Sequence, residues 1–306
     1  MTGTLRLSEE VDQALRQRRP VVALESTIIA QGLPRPRNLE VANELEEIVR
    51  EQGACPATIA VLDGRACVGL DAAEVARVAQ DPSLRKLGRR DLPVALALGA
   101  SGATTVSATV WLAAAAGIRV MGTGGIGGVH RGYSETLDES ADLQVLSTTR
   151  VAVVSAGVKS ILDVPATLER LESLSVSVVG YQTEQFPGFY LHSSGQRVDW
   201  TVSTPAEVAA VMRRQDELGI TSALLVANPV PEGEQLDPET HDRAMAGAMA
   251  SAESEGVSGQ RLTPHLLSSL VRATGGASLE ANLAAVRGNV RLAAEIAVAF
   301  SAVAEG

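Results

Sequence analysis

The sequence predicts an α/β fold in three layers, α/β/α, with a mixed and largely parallel sheet in the middle. First, short β-branched runs alternate with amphipathic stretches, the pattern of a parallel sheet covered by helices on both faces. Second, an Asp63-Gly64 pair separates two such runs, which is typical of a type I′ hairpin and adds an antiparallel pair. Third, no Pro/Ser-rich linker or fixed repeat divides the 306 residues, so we expect one domain over 1–306.

The predicted strands are short apolar runs, each with at least one β-branched residue. Two strands form the arms of the hairpin in ATIAVLDGRACVGL (57–70). The others are VVALE (21–25), VALAL (94–98), IRVMGT (118–123), VAVVSAG (151–157), VSVVGY (176–181) and SALLVAN (222–228).

Helices are predicted where apolar residues recur every three or four positions. Ser8 is the expected N-cap of the first helix, and Val41, Leu45 and Ile48 share one face of the second. In order, the predicted helices lie within 8–19, 38–53, 72–80, 104–117, 162–174, 204–219, 238–256, 263–276 and 278–306.

Composition excludes several classes of partner. The formal net charge is −10 without a long basic block, so we expect neither a nucleic-acid duplex nor an anionic membrane as partner. Aromatic residues make up 3%, too few for the base-stacking surfaces that bind single strands. Cys55 and Cys67 stand without clustered histidines, which does not suggest a metal knuckle. The polar start MTGTLRLSEE and the lack of a long apolar run predict a soluble, cytoplasmic protein.

Lysine is nearly absent from the chain. Among 26 lysines and arginines only Lys86 and Lys159 are lysine. A surface charge tolerates either residue, whereas a nucleophilic amine must be lysine, because guanidinium is not deprotonated in proteins. Lys86 lies in a charged stretch, where chance survival of a lysine is an alternative explanation, whereas Lys159 lies within an apolar run and is the stronger candidate for chemistry.

Three features follow predicted strands at the edge where parallel sheets bind ligands. Glu25 ends the strand 21–25, Lys159 follows the strand 151–157, and the glycine-rich GTGGIGGVHRG (122–132) follows the strand 118–123. A charged group in an apolar run costs free energy unless it is paired. We therefore expect Glu25 and Lys159 to act as a pair across one pocket.

The glycine-rich loop allows two interpretations. Its backbone N–H groups can approach an anion closely, or its glycines can serve a tight structural turn. It lacks the G-K-[ST] of a Walker loop. Within it, His130 is either a ligand or base, or a hydrogen-bonded structural histidine.

The acidic segment SETLDESADLQ (134–144) is predicted to be helical. On a helix Asp138 and Asp142 share one face, and Glu135 and Glu139 another. Carboxylates suit Mg²⁺ or Mn²⁺, but acids in a first helical turn also complement the helix dipole without any metal.

Ten segments in order along nearly the whole chain resemble one known family. They are VVALESTIIAQGLPRP, GACPATIAVLDG, RRDLP, GATTVSAT, GTGGIGGVHRG, SADLQ, SAGVKSILD, VGYQT, VANPVPE and TGGASLEANLAAVRGN. The chain is similar in these to the pseudouridine-5′-phosphate glycosidase family, also called indigoidine synthase A-like. Residues 186–203 are the least family-like.

The resemblance implies an enzyme that reversibly cleaves pseudouridine 5′-phosphate to uracil and ribose 5-phosphate, typically as a homotrimer. It implies Glu25 as proton donor, Lys159 as Schiff-base nucleophile and Asp138 as ligand of a divalent cation, usually Mn²⁺. The substrate-binding residues expected are Lys86, Val106, Ser140, Ala141, Asp142 and Asn282, together with His130. Two alternatives stay open: a class I aldolase-like Schiff-base lyase on another phosphosugar, and a non-enzymatic nucleotide-sensing or scaffold protein that uses the glycine-rich loop only to bind.

Overall fold

Eleven strands form one sheet in the computed structural model, which describes residues 5–257 and 262–302. The strands are β1 (Leu5–Leu7), β2 (Val21–Glu25), β3 (Cys55–Leu62), β4 (Arg65–Val68), β5 (Arg85–Leu87), β6 (Gly102–Thr104), β7 (Val120–Gly122), β8 (Ala152–Ser155), β9 (Ser177–Tyr181), β10 (Thr201–Val202) and β11 (Leu224–Ala227). Their order is β1-β4-β3-β2-β7-β8-β11-β9-β10, and β6 joins β5 to β3. The fold is α/β, with a mixed and mostly parallel sheet, as predicted.

The sheet is antiparallel only around β3, which pairs that way with β4 and β6. Between β3 and β4, Asp63 and Gly64 have φ values of 49° and 72°. Both central residues of a type I′ turn require positive φ, so this hairpin is the one that the sequence predicts.

Helices cover both faces of the sheet. They are α1 (Glu9–Arg16), α2 (Arg37–Glu51), α3 (Ala72–Gln80), α4 (Leu92–Ala97), α5 (Val106–Ala116), α6 (Tyr133–Thr136), α7 (Ala141–Leu146), α8 (Val164–Ser173), α9 (Pro205–Glu217), α10 (Pro238–Ser254), α11 (Leu262–Ala273) and α12 (Ala277–Ala302). The predicted end of the last helix, 303–306, lies outside the described residues. Within the described ranges, no helix is both long and apolar enough to cross a membrane.

Two large clusters of buried side chains lie on opposite faces of the sheet. Alternate residues of β2 enter different clusters, with Val21 and Ala23 on one face and Val22 and Leu24 on the other. Helices α2, α9 and α12 pack on the second face. Because both faces are covered, the strands are apolar throughout rather than alternating.

The predicted strand VALAL (94–98) is wrong. The structure has helix α4 there, with Pro93 in its first turn. Leu92 and Ala95 are buried, three residues apart, whereas Val94 and Leu98 are exposed. That spacing is helical, and Pro93 fits a first turn because it has no N–H to donate.

The single predicted helix over 134–144 is also wrong. It is divided into α6 and α7 by Leu137, whose φ is +54°, and by a bridge between Glu139 and Val129. Asp138 and Asp142 therefore share no helix face: Asp138 is half-buried, while Asp142 is buried at the start of α7.

Candidate active site

A cavity of about 710 Å³ opens at the carboxyl ends of β2, β7 and β8. All ten residues expected at the site line it: Glu25, Lys86, Val106, His130, Asp138, Ser140, Ala141, Asp142, Lys159 and Asn282. These residues are spread over more than 250 positions of the sequence, from Glu25 to Asn282, and the structure brings them to the edge where open α/β sheets bind ligands. Helix α11 and a short π-helical turn, Ile28–Gly32, supply further walls.

Glu25 is the last residue of β2, and only 8% of it is exposed. Each of its carboxyl oxygens meets a threonine hydroxyl: Thr27 Oγ1 donates to Oε2, and Thr123 Oγ1 donates to Oε1 at 2.5 Å. The carboxyl group is therefore fixed in direction at the cavity wall. A hydroxyl both donates and accepts, so the same two contacts serve a carboxylate or a carboxylic acid.

Lys159 lies in the loop that follows β8 and is partly exposed to the cavity. Its backbone is fixed at both polar atoms, because its N–H donates to Ile126 O at 3.1 Å and its carbonyl accepts from Leu162 N at 2.9 Å. The glycine-rich loop therefore fixes the backbone of Lys159 through Ile126, and the lysine side chain reaches the cavity.

Lys86 lies on β5 and also opens into the cavity. Desolvation by the surrounding protein lowers the pKa of Lys86, and the positive charge of Lys159 lowers it further, against Asp142 and Glu25, which raise it. A lysine of lowered pKa between another amine and two carboxylates belongs to a single electrostatic cluster. Such clusters are typical of functional sites.

Most glycines of the 122–132 loop serve close packing. A Cβ on Gly127 would overlap the Ser140 side chain. The Ile126 and Gly127 amides are already used, the first by Gly157 O at 3.0 Å and the second by Asp142 at 2.9 Å. The structure thus favours the structural interpretation of this part of the loop. Gly124 and Gly125 line the cavity, and their N–H groups stay available to a ligand.

Asp142 connects two backbone segments of the site through its carboxylate. Its Oδ1 accepts the Ser107 N–H at 2.8 Å, in the first turn of α5, and its Oδ2 accepts the Gly127 N–H at 2.9 Å. Only 5% of the residue is exposed. Its carboxylate thus ties the N-terminus of α5 to the glycine-rich loop, and Ser140 caps α7 by accepting the Asp142 N–H at 3.2 Å.

His130 and Asp138 are the pair of residues that most resembles part of a metal site. His130 Nδ1 lies 3.9 Å from Asp138 Oδ2, and the His130 N–H donates to Asp138 O at 3.0 Å. Desolvation lowers the pKa of His130, although Asp138 acts in the opposite direction. No three acidic, histidine or cysteine residues group closely enough to hold a metal ion in 5–257 and 262–302. One carboxylate completed by water and substrate oxygens does fit Mg²⁺ or Mn²⁺, which keep several waters.

Asn282 and Val106 complete the expected set. Asn282, on α12, has a buried Oδ1 with no hydrogen-bond partner among the described residues. Val106 is the first residue of α5, whose N-terminus faces the cavity. A helix N-terminus attracts anions, because its first N–H groups lack partners within the helix.

Among the residues at the site that sequence reasoning missed, two threonines and two aromatic residues stand out. Thr27 and Thr123, which hold Glu25, carry no signal except their place beside a predicted strand end. Phe189 and Tyr190 form an aromatic wall in the least family-like segment, and Phe189 has a φ of +67°. A bulky residue in this backbone region is uncommon, which marks a functional or tightly packed position.

The comparisons with known proteins agree on one family. A family model described as indigoidine synthase A like protein matches residues 10–299. A relative from Streptomyces griseus, named pseudouridine-5′-phosphate glycosidase, is 66% identical over 294 residues, which is 96% of this chain and 91% of the relative.

Two solved structures share the fold over nearly the whole chain. The prealnumycin C-glycosynthase AlnA in complex with ribulose 5-phosphate is 37% identical, with a TM-score of 0.92 and coverage of 100% of this chain and 99% of AlnA. An indigoidine synthase A (IdgA)-like protein from Thermotoga maritima is 38% identical, with a TM-score of 0.88 and 97% coverage of both chains.

Proposed function

Because the chain belongs to the indigoidine synthase A-like family, we propose that it is an enzyme that reversibly cleaves pseudouridine 5′-phosphate to uracil and ribose 5-phosphate. One observation carries the proposal: a single cavity brings Glu25, Lys86 and Lys159 together at the carboxyl edge of the sheet. These are a fixed carboxyl group and the only two lysines of the chain.

The bond to be broken explains the need for an amine. It joins C1′ of the ribose to C5 of uracil, so the leaving atom is carbon. The usual pair of carboxylates in glycosidases expels an oxygen or nitrogen from an oxocarbenium-like state. An amine that bonds to C1′ instead donates its lone pair to a new C1′=N bond as C5 leaves with the electron pair of the C1′–C5 bond.

The proposed steps use Glu25 and Lys159 together. The Lys159 Nζ bonds to C1′ as the C1′–O4′ bond breaks, and O4′ takes a proton from Glu25. The added Nζ returns a proton to Glu25, which passes it to C5 of uracil as the C1′–C5 bond breaks with its electron pair on C5, and a protonated imine remains between C1′ and Lys159. Water hydrolyses the imine, which releases ribose 5-phosphate and the free amine.

We assign the phosphate to Lys86 and the N-terminus of α5. Lys86 supplies positive charge, and the first turn of α5 supplies N–H groups other than that of Ser107, which donates to Asp142. The unpartnered Oδ1 of Asn282 is an acceptor, so it suits a ribose hydroxyl near the phosphate rather than a phosphate oxygen.

We propose that Asp138 holds one divalent cation, Mn²⁺, with water and substrate oxygens completing its coordination. Burial lowers the pKa of His130, which favours the neutral imidazole beside Asp138, and a neutral imidazole does not repel a cation. Such an ion would supply positive charge against developing negative charge on a substrate oxygen.

The number of domains, the oligomeric state and the cellular location are proposed from the family resemblance alone. We expect a single domain, a homotrimer in solution and a cytoplasmic location. Light scattering coupled to size-exclusion chromatography tests the trimer.

The test of function is incubation with pseudouridine 5′-phosphate and Mn²⁺, followed by the ultraviolet absorbance of free uracil. Borohydride added with ribose 5-phosphate should trap a covalent adduct on Lys159, visible by mass spectrometry. Lys159→Arg should abolish both signals, because arginine keeps the charge but not the nucleophile. Lys86→Arg is the matched control and should keep catalysis, since a phosphate contact needs only the charge.

The outcomes separate the alternatives. An adduct without release of uracil favours an aldolase-like lyase on another phosphosugar. Binding without any adduct favours a non-enzymatic nucleotide-binding protein. Activity in Lys159→Arg would refute the nucleophile assignment.

A further inference from the structure

Asn289 is a fully buried polar residue on α12, two helical turns beyond Asn282. Its Nδ2 donates to the carbonyls of Thr123 at 2.7 Å and Gly124 at 3.3 Å. Its Oδ1 accepts from Asn228 Nδ2 at 2.9 Å. One amide group therefore ties the loop after β7 to the end of β11.

The close approach of α12 to the sheet makes this reach possible. A Cβ on Gly122 would lie 3.0 Å from Val290 Cα and 3.2 Å from Ala293 Cβ. Glycine at this position lets the helix lie directly on β7, so the short side chain of Asn289 reaches the backbone where the strand ends.

Thr123 connects Asn289 to Glu25. The Thr123 N–H continues the sheet by donating to Val154 O at 3.0 Å, its carbonyl accepts from Asn289, and its hydroxyl meets Glu25. All three polar groups of Thr123 are thus used. Loss of the Asn289 amide would leave a buried carbonyl without its partner, and the residue would shift to regain one.

We propose that Asn289 is a positioning residue that fixes the Glu25 carboxyl group through the backbone and hydroxyl of Thr123. Asn289 does not line the cavity, so its effect on the substrate is indirect. It acts through Thr123 and Glu25, and through Gly124, whose carbonyl it holds at the longer distance of 3.3 Å. The kinetic part of this inference rests on the proposed proton transfer by Glu25; the structural part does not.

Asn38 offers a matched control. It is 1% exposed on α2, and its Nδ2 likewise donates to two backbone carbonyls, Ile29 at 2.6 Å and Ala79 at 2.8 Å. Asn38→Ala removes the same kind of contact at another wall of the cavity, the π-helical turn Ile28–Gly32, without touching Thr123. If Asn289 only stabilised the fold, the two alanine variants would affect activity alike.

The experiment is a double-mutant cycle in kcat with pseudouridine 5′-phosphate. Asn289→Ala and Thr123→Val should each lower kcat about 100-fold, with KM changed less than about threefold, because a small misplacement of a reacting group has that size of effect. The double variant should be no slower than the slower single variant, since both remove one restraint. Thr123→Val with Asn38→Ala should be additive. Additivity of Thr123→Val with Asn289→Ala would overturn the proposal.

A second measurement needs no substrate. Crystal structures of the wild type and Asn289→Ala should differ at Thr123, with its hydroxyl beyond hydrogen-bond distance of Glu25 in the variant. An unchanged contact overturns the inference, even if the wild type proves inactive on pseudouridine 5′-phosphate. Inactivity of the wild type with an opened contact refutes the proposed function alone.

Discussion

Replacement of Asp142 by asparagine tests whether this residue braces the site or only binds substrate. The two carboxylate oxygens accept the N–H groups of Ser107 and Gly127, at 2.8 and 2.9 Å. Asparagine keeps the shape but has one acceptor oxygen, so its NH₂ group must face one of these two N–H groups.

The expected loss follows from those two contacts. A hydrogen bond to a charged acceptor contributes about 1.5–3 kcal/mol, and a buried donor left without a partner costs a similar amount. We therefore expect Asp142→Asn to lower the free energy of unfolding by about 1.5–3 kcal/mol in the absence of substrate. We also expect a lower kcat/KM, because the glycine-rich loop and the N-terminus of α5 both line the cavity.

Urea unfolding without substrate measures this loss. Glu135→Gln is the matched control, since Glu135 is an exposed carboxylate in the same segment and its replacement should change stability by less than about 0.5 kcal/mol. If Asp142→Asn is as stable as this control and only KM rises, the carboxylate binds substrate, and the proposed stabilising link between α5 and the glycine-rich loop is refuted.

Two further predictions concern charge and metal. The pKa of Lys86 is lowered, so its positive charge is present below that pKa and is lost as pH rises through it; kcat/KM should fall there, and in Lys86→Arg this fall should disappear. A profile unchanged by the replacement would exclude Lys86 from phosphate binding. Asp138→Asn should raise the Mn²⁺ concentration for half-maximal activity at least about tenfold. Since Asp138 is half-buried at the cavity wall, stability should change by less than about 0.5 kcal/mol; an unaltered Mn²⁺ dependence would contradict its role as ligand.

Local pattern predicted the elements whose periodicity is strong. The strand 21–25, the hairpin at Asp63-Gly64 and the buried helix after Thr105 are all present. The pattern missed the short strands β1, β5, β6 and β10, because two or three residues carry too little periodicity and pair only where neighbouring strands offer a free edge.

The placement of the site was predictable because it follows from the sheet itself. In a parallel sheet the carboxyl ends of the strands lie at one edge, so Glu25, Lys159 and the glycine-rich loop were expected there, and the adjacent order β2-β7-β8 brings them together. Lys86 was marked by the rarity of lysine. The sequence by itself therefore determined the fold class, the edge that carries the cavity and the chemical groups that line it.

Only the tertiary structure decided how those groups are held. Asp142 accepts a hydrogen bond from Ser107, 35 residues away, and Asn289 donates one to Thr123, 166 residues away. A carboxylate beside a helix start looks the same in sequence whether it faces a ligand or a backbone N–H, since its partner is set by packing. Hydrogen-bond partners distant in the chain are fixed only when helices α5 and α12 lie against the sheet.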